Sequence, residues 1–293
     1  MNAITYVLKN RGIWGALKRA LEIISSYGFT EKKFSRKLEL YLKILSEYNV
    51  KASLSATGVV VSRHPDFFRK LGSRAELLIH GFRHVDQTQL GKSQQKDEVL
   101  KALDAFKKAG LTAKGFRAPY LRKDKNLAGV LKGRFEYDSS DSILFNSEFK
   151  IPCEKTTENV KSMPYADEVL ELMVSLPSDI WLLNKLGIKS QDEITKIWRD
   201  MLKQAHEKGE MLILQLHPEN IEKCDRALAE LLKYSRSLDG VWTPTLGGIA
   251  SWWKSKKPDE KWPKGFKCAL SITGDIDCTT LLDYLHRLFE GLT

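Results

Sequence analysis

Short apolar runs alternate with amphipathic helical segments along this chain, and this alternation limits its fold more than any other feature. The runs that predict strands are Lys51–Ala56, Leu77–Ile79, Met211–Leu216 and Lys267–Thr273. Helical patterns occur at Pro65–Leu71, Gln94–Lys108, Glu193–Lys208 and Asn220–Ser235. Strands that alternate with helices favour a parallel sheet with both faces covered. The sequence therefore predicts an α/β fold.

The number of strand–helix units favours a closed (β/α) barrel, and single barrels commonly reach the 293 residues present here. No linker rich in proline, glycine or serine, no repeat and no low-complexity segment divides the chain. We therefore expect residues 1–293 to form a single domain.

The charge of the chain is strongly basic, with 47 Lys and Arg against 37 Asp and Glu and a formal net charge of +10. Such a charge favours acidic partners, such as phosphorylated sugars, anionic glycans, a membrane surface or nucleic acid. The basic residues are spread over predicted helix faces, however, and no nucleic-acid-binding signature accompanies them. A solvated basic surface, without nucleic acid as a partner, is the expectation.

The sequence predicts neither export nor membrane insertion. No run of about 18 apolar residues occurs, so no transmembrane segment is expected. Met1–Ile24 lacks the apolar core and the small-residue cleavage site of a signal peptide. The cysteines have no CxxC spacing and are interpreted as reduced thiols; they are Cys153, Cys224, Cys268 and Cys278. The predicted location is the cytoplasm.

Two histidines four residues apart follow one predicted strand, in the sequence His80-Gly-Phe-Arg-His84. A neutral imidazole offers a lone pair near pH 7, which makes histidine the commonest metal ligand. Both rings can reach one ion if the chain turns helically after the strand, and Gly81 relaxes the backbone there. An isolated pair with this spacing is more often structural, so the prediction of a metal site depends on ligands elsewhere.

Further polar residues stand at the ends of the other predicted strands, where the carboxyl ends of barrel strands converge on one pocket. In chain order they are Arg117 with Tyr120, His217, and Asp275 with Asp277. One aspartate with two histidines is an ordinary ligand set for a divalent metal that keeps open positions. A second carboxylate could accept a proton from water, His217 could protonate a leaving group, and Arg117 could keep the carboxylate ionised. The combination predicts a metal-assisted hydrolase.

Four short motifs carry a resemblance to a known family. They are His80-Gly-Phe-Arg-His84, Arg117-Ala-Pro-Tyr120, Leu214-Gln-Leu-His217 and Gly274-Asp-Ile-Asp277. The first three match the H-x-x-x-H, R-x-P-Y and L-x-L-H elements of the polysaccharide deacetylases, and the fourth resembles their paired aspartates in the D-x-D form. Over roughly residues 30–290 the chain resembles the polysaccharide deacetylase family, whose domain is the NodB homology domain.

The resemblance implies an irregular (β/α) barrel of seven strands and a metal site. Asp277, His80 and His84 would bind a divalent metal, usually zinc. The backbone N–H near Tyr120 would help to hold the oxyanion of the reacting amide.

The resemblance also implies the catalytic groups. Asp275 would be the base, held in place by Arg117, and His217 would be the general acid. The family uses a further acidic residue beside the acid histidine, and both Asp138 and Asp179 are candidates for it.

The order of the motifs departs from the family, because the aspartate strand comes first there and last here. The first and last strands of a closed barrel are neighbours, so moving one βα unit to the back can leave the sheet unchanged. We therefore predict a circular permutation, with residues 267–293 as the displaced unit and Cys268–Thr273 beside Ala52–Ala56. The rival hypothesis is that this unit completes the barrel of a neighbouring subunit.

The expected activity is hydrolysis of a non-peptide carbon–nitrogen bond. Removal of an acetyl group from an N-acetylated amino sugar or glycan is the leading hypothesis. Two alternatives stay open: hydrolysis of another small amide, such as a ureide or a formyl compound, or carbohydrate binding without catalysis. The complete set of site residues disfavours the non-catalytic alternative.

Overall fold

The computed structural model describes residues 23–24, 27–145, 151, 153, 155–156, 165–166 and 168–290. It confirms the predicted α/β class, because a curled and mostly parallel sheet is combined with helices, as in a deformed (β/α) barrel. Within the described ranges, no helix is both long enough and apolar enough to cross a membrane.

Eleven strands form the sheet in the described part of the chain. They are β1 (Ser53–Ala56), β2 (Glu76–Ile79), β3 (Gly115–Phe116), β4 (Tyr137–Asp138), β5 (Ser142–Leu144), β6 (Tyr165–Ala166), β7 (Val169–Glu171), β8 (Val174–Leu176), β9 (Met211–Gln215), β10 (Val241–Trp242) and β11 (Cys268–Ile276). Their order is β5-β8-β9-β11-β1-β2-β3-β4-β7-β6, and β10 pairs with β11. Only the pairing of β6 with β7 is antiparallel among these described strands.

The strand count exceeds the seven that the family resemblance implies. Several of the eleven, such as β4 and β10, contain only two residues, and β6 adds a short antiparallel partner to β7. Segments this short have no measurable hydrophobic period, so only their hydrogen bonds to neighbouring strands reveal them.

Nine α-helices are described. They are α1 (Lys32–Glu47), α2 (Gly58–Arg63), α3 (Pro65–Gly72), α4 (Lys92–Lys108), α5 (Lys125–Leu131), α6 (Gln191–Lys208), α7 (Asp225–Ser237), α8 (Leu246–Ser255) and α9 (Leu281–Glu290). Helix α6 shows why these segments fold as they do. It buries one face that includes Ile194 and Trp198, the Ser190 hydroxyl accepts a hydrogen bond from the Glu193 N–H at its start, and Gly209 ends it in the left-handed region.

Strand β11 lies in the middle of the sheet, and all nine of its residues are buried. It pairs in parallel with β9 on one side and with β1 on the other. The predicted neighbourhood of the two strands is confirmed, but the predicted segment is wrong. Ser53–Ala56 lie opposite Thr273–Ile276, so of the predicted Cys268–Thr273 only Thr273 pairs with β1. Both neighbours are strands of the same chain. A circular permutation as the origin of this arrangement stays a prediction.

Candidate metal centre and catalytic site

The predicted site residues converge at the carboxyl edge of the sheet. His80 directly follows β2, Arg117 directly follows β3, and His217 lies two residues beyond β9. Asp275 lies on β11, and Asp277 comes immediately after that strand. Because neighbouring parallel strands end at one edge, these side chains are brought within contact distance of one another.

His80, His84 and Asp277 form one compact group, whose potential ligand atoms all lie within 4.8 Å of one another. His80 Nε2 is 3.5 Å from Asp277 Oδ1, and His84 Nε2 is 3.3 Å from Asp277 Oδ2. Gly81, with a φ of 77°, turns the chain between the two histidines. A side chain at position 81 would be strained there, so glycine serves the turn that brings the two rings together.

The hydrogen bonds and charges around the two histidines suit a metal. His80 Nδ1 lies 2.7 Å from the Arg117 carbonyl oxygen, which can only accept, so Nδ1 donates this bond and Nε2 is the ring nitrogen that faces Asp277. Burial, reinforced by the positive charge of Arg287, holds the pKa of His84 well below its ordinary value, and its ring is neutral.

The Asp277 carboxylate completes the set. Burial alone would raise the pKa of Asp277, but the surrounding positive charge, that of Arg287 included, lowers it to about 2, so it is ionised. Its Oδ1 is buried and has no hydrogen-bond partner among the described residues, and an orphaned buried oxygen of this kind calls for a ligand. Two imidazole nitrogens and one carboxylate oxygen fit a divalent ion such as zinc that keeps further positions open.

Asp275 is a second buried carboxylate beside this group. It accepts hydrogen bonds from Ser55 Oγ at 2.6 Å, Gln215 Nε2 at 2.7 Å and Arg117 Nη1 at 2.9 Å. Burial would raise the pKa of Asp275, but Arg117 and the neighbouring rings of His80 and His217 hold it well below its usual range. Asp275 is therefore ionised, and its Oδ2 is 3.8 Å from His80 Nε2.

The Arg117 side chain is fully buried, and each of its three nitrogens donates at least one hydrogen bond. Besides its bond to Asp275, Arg117 donates hydrogen bonds to three other oxygens. They are the Ser139 carbonyl oxygen at 3.2 Å, the Ser139 hydroxyl at 3.0 Å and the Thr273 hydroxyl at 3.1 Å. A guanidinium held at several points fixes its partner carboxylate in one orientation.

His217 and His80 approach Asp275 from strands on opposite sides of β11, and His217 is positively charged. Its Nε2 is 3.7 Å from Asp275 Oδ2, and its Nδ1 is 2.8 Å from Asp179 Oδ1. Asp179 also accepts from the His217 backbone N–H at 3.0 Å and from Asn220 Nδ2 at 2.8 Å. Burial would lower the pKa of His217, but the charge and hydrogen bond of Asp179 raise it to about 10.

Asp138 and Asp179 were both candidates for the acidic residue beside His217, and Asp179 is the one in contact with it. Asp179 is fully buried against His217, whereas Asp138 lies 3.1 Å from Lys123 Nζ in a separate charged cluster that also includes Glu171. Asp138 also accepts a short hydrogen bond from the Ser140 hydroxyl, so it stabilises the turn after β4.

Tyr120 stands at the mouth of the site in an unusual conformation. Its φ is 62°, in the left-handed region that costs a non-glycine residue of order 1–3 kcal/mol. Its ring packs edge-on against His84 with centroids 4.4 Å apart, and the side chain is 57% exposed. The strained turn Pro119–Leu121 therefore lies next to the metal-ligating group.

Three contributors to the site were not predicted from the sequence. They are Ser55 and Gln215, which donate to Asp275, and Arg287, which donates from α9 to Asp277 Oδ2 at 2.7 Å. Ser55 and Arg287 lie outside the four motifs, and Gln215 occupies the variable position of Leu214-Gln-Leu-His217. Each reaches the site only through strand register or helix packing.

A parallel sheet with histidines, paired aspartates and an arginine at its carboxyl edge is typical of hydrolases that use a bound metal ion. Residues 32–133 match the family model described as "Polysaccharide deacetylase". This match confirms the predicted resemblance to the polysaccharide deacetylase family.

One curated relative is the "Peptidoglycan deacetylase-like protein FGM2" of Gibberella zeae (strain PH-1), which is 29% identical over 153 residues. The alignment covers 44% of this chain and 44% of that protein, so the chain spans less than half the length of that relative.

Solved structures share the fold. A probable polysaccharide deacetylase from Pseudomonas aeruginosa PAO1 is 21% identical, with a TM-score of 0.62 over 78% of this chain and 76% of that one. PuuE allantoinase is 20% identical, with a TM-score of 0.61 over the same shares of the two chains, 78% and 76%. A Mycobacterium smegmatis protein assigned as a polysaccharide deacetylase is 21% identical, with a TM-score of 0.61 over 88% and 87%. At these identities the likeness concerns the fold alone.

Proposed function

We propose that this protein is a metal-dependent hydrolase that removes the acetyl group from an N-acetylated amino sugar or glycan. The observation that carries the proposal is the position of Asp275 Oδ2, which lies 3.8 Å from His80 Nε2 on one side and 3.7 Å from His217 Nε2 on the other. An ionised carboxylate thus stands between a set of metal ligands and a protonated histidine, the arrangement that amide hydrolysis by water needs.

His80, His84 and Asp277 would hold the metal, for the reasons of protonation and donor type given above. A divalent ion bound there polarises the amide carbonyl and lowers the pKa of adjacent water from ~16 toward ~7. Zinc is the ion that this nitrogen and oxygen donor set favours.

Asp275 would act as the base. Because Arg117 and the adjacent rings keep it ionised, it is ready to accept a proton from the attacking water. The hydrogen bonds from Ser55, Gln215 and Arg117 restrict its rotation, so Oδ2 stays directed toward the reacting water.

His217 would act as the acid. Nδ1 is bound to Asp179, so the proton on Nε2 is the one that can pass to the departing nitrogen. The backbone N–H of Tyr120, in its strained turn at the mouth of the site, would donate to the developing oxyanion.

The substrate class rests on the family match and on the printed name of the Gibberella zeae relative, which both refer to deacetylation of a polysaccharide or peptidoglycan. A second candidate is hydrolysis of a ureide or another small amide on the same site. It is favoured by the D-x-D form of the aspartate motif and by the shared fold with PuuE allantoinase.

The purified protein tests the proposal through metal analysis and parallel assays with an N-acetylated amino-sugar oligomer, its N-formyl analogue and a ureide. We expect about one divalent ion per chain and fastest turnover of the acetylated substrate. Turnover of the ureide alone would replace the first candidate by the second.

Asp275→Asn should lower kcat by about 10²–10⁴-fold, because it removes the base. Bound metal should stay unchanged, since Asp275 is outside the group formed by His80, His84 and Asp277. Asp239→Asn is the matched control, because Asp239 is an exposed surface residue that pairs with Lys267. A preparation without bound metal, or full activity in Asp275→Asn, would contradict the mechanism.

A further inference from the structure

Arg287 contacts two of the three candidate metal ligands. Its Nη1 donates to Asp277 Oδ2 at 2.7 Å, and its Nη2 lies 3.4 Å from His84 Nε2. The residue comes from α9, the helix that follows the aspartate strand, and it matches none of the sequence motifs of the site.

The guanidinium and a metal ion in this site would compete for the electron pairs of the same neighbours. Arginine has donors and no lone pair to offer a cation, so it can only use the electron pairs of its neighbours. His84 Nε2, which Arg287 Nη2 faces, is a nitrogen whose lone pair a metal in this site would also need. Asp277 Oδ1 is left for a metal, but Arg287 already neutralises the charge of this carboxylate through Oδ2. A lone pair directed at an N–H is not available to a cation at the same time.

Charge acts in the same direction. The Arg287 guanidinium carries a positive charge throughout the pH range in which proteins are folded. This charge lies 2.7 Å from Asp277 Oδ2 and 3.4 Å from His84 Nε2, so it repels a divalent cation that approaches these two residues.

The side chain has a path away from the ligands while its helix stays in place. The Arg287 side chain is 24% exposed, so part of it already faces solvent. Helix α9 is anchored independently, since Asp283 accepts from Thr279 and Thr280 at its start and lies 3.0 Å from His64 Nε2.

We propose that Arg287 competes with the divalent metal for Asp277 and His84, so that metal binding requires this side chain to turn toward solvent. The inference rests on the proposed metal site. Arg287 would then limit the affinity of the site and act as a built-in counter-ion for Asp277.

Titration with Co²⁺ against a chelator tests the competition in the wild-type protein, Arg287→Gln and Arg287→Lys. Arg287→Gln removes the charge, and we expect it to bind Co²⁺ about tenfold or more tightly than the wild type, equivalent to about 1.4 kcal/mol. Arg287→Lys keeps the charge and should remain within about threefold of the wild type. Without added metal, Arg287→Gln should unfold at a lower temperature, because Asp277 loses its counter-ion.

Arg63→Gln is the matched control, because Arg63 also pairs with α9, at Asp283, and its contact lies away from the ligands. It should leave the affinity for Co²⁺ unchanged. Equal or weaker binding by Arg287→Gln would overturn the competition while leaving the metal site intact. Absence of Co²⁺ binding by every protein, the wild type included, would overturn the metal site and the competition together.

A wild-type measurement covers the case in which Arg287→Gln fails to fold. Phenylglyoxal modifies exposed guanidinium groups, and mass spectrometry locates the modified residue. Saturation with Co²⁺ should speed modification of Arg287 and leave that of Arg63 unchanged. Slower or unchanged modification of Arg287 would overturn the proposal.

Discussion

His217 and Asp179 form a fully enclosed pair, and their contact sets the charge of the proposed acid. In a buried place without a partner, an imidazole loses its proton, because a charge is costly there. Asp179 reverses this and raises the pKa of His217 to about 10. The contact therefore contributes fully to the stability of the folded protein at pH values below about 6.5, the ordinary pKa of histidine. This contribution is lost as the pH rises through about 10.

Asp179→Asn should therefore move the basic limb of the pH profile of kcat to lower pH by more than about one unit. Burial continues to lower the pKa of His217 in this variant, and the opposing charge is gone. The measurement is kcat as a function of pH with a saturating substrate. Asp138→Asn, which changes the aspartate beside Lys123, should keep the wild-type limb. A basic limb shared by Asp179→Asn and the wild type would show that Asp179 does not set the charge of His217.

The residues of the site differ in how well the sequence predicts them. His80, Arg117 and His217 follow apolar strands directly or closely, so a strand pattern and a polar residue at its end are enough to find them. Ser55 and Arg287 give no such signal. Ser55 reaches Asp275 because the two stand opposite each other in the register of β1 and β11, and one residue of slippage would separate them.

At the scale of elements, the close packing of β11 against the chain after β9 positions Asp275. The Leu216 N–H donates to the Thr273 carbonyl oxygen at 2.8 Å, which draws the two segments together beside Gly274. A Cβ on Gly274 would come closer than 3.0 Å to the Leu216 carbonyl oxygen, which is backbone and cannot rotate away. Glycine is therefore needed on β11, directly before Asp275, for a steric reason.

Gly274→Ala should lower the free energy of unfolding by about 1–3 kcal/mol, because overpacking forces β11 away from Leu216. Activity should fall further than stability alone explains, since Asp275 moves with the strand. Urea unfolding followed by circular dichroism measures the first effect, and kcat/KM at a temperature where the variant is folded measures the second. Gly91→Ala is the control, as a Cβ there has an ordinary contact of 3.6 Å with Gln94 Oε1. A variant at position 274 that is as stable and active as this control would refute the steric account.

At the scale of the whole molecule, the alternation of strands and helices was sufficient to predict the class of the fold and the neighbours of β11. The periphery of the sheet could not be predicted in the same way. Strands β4, β5 and β7 are two or three residues long, and pairing across the sheet defines them. A residue pattern reports how each segment is buried, whereas the number of short strands depends on contacts between segments far apart in the chain.

The unit formed by β11 and α9 also packs on the part of the chain that precedes α1. The Leu281 N–H donates to the Gly28 carbonyl oxygen at 2.8 Å, and Tyr284 stacks on Tyr27 with ring centroids 6.2 Å apart. The unit could therefore precede the rest of the chain and still occupy the same place between β1 and β9. This is the physical content of the permutation hypothesis.

A relocated chain tests that hypothesis. Residues 267–293 are placed ahead of Met1 through a flexible glycine–serine linker, so that the new chain ends at Phe266. We expect a monomeric unfolding transition with a Tm within about 5 °C of the original and the same stoichiometry of Co²⁺. Deletion of residues 267–293 is the comparison, and it should abolish cooperative unfolding, because it removes a nine-residue buried strand and leaves β1 and β9 with exposed edges. If the relocated chain behaved like the deleted one, or recovered only as a concentration-dependent dimer, the place of the unit in the sheet would depend on its place in the chain, and the permutation hypothesis would be wrong.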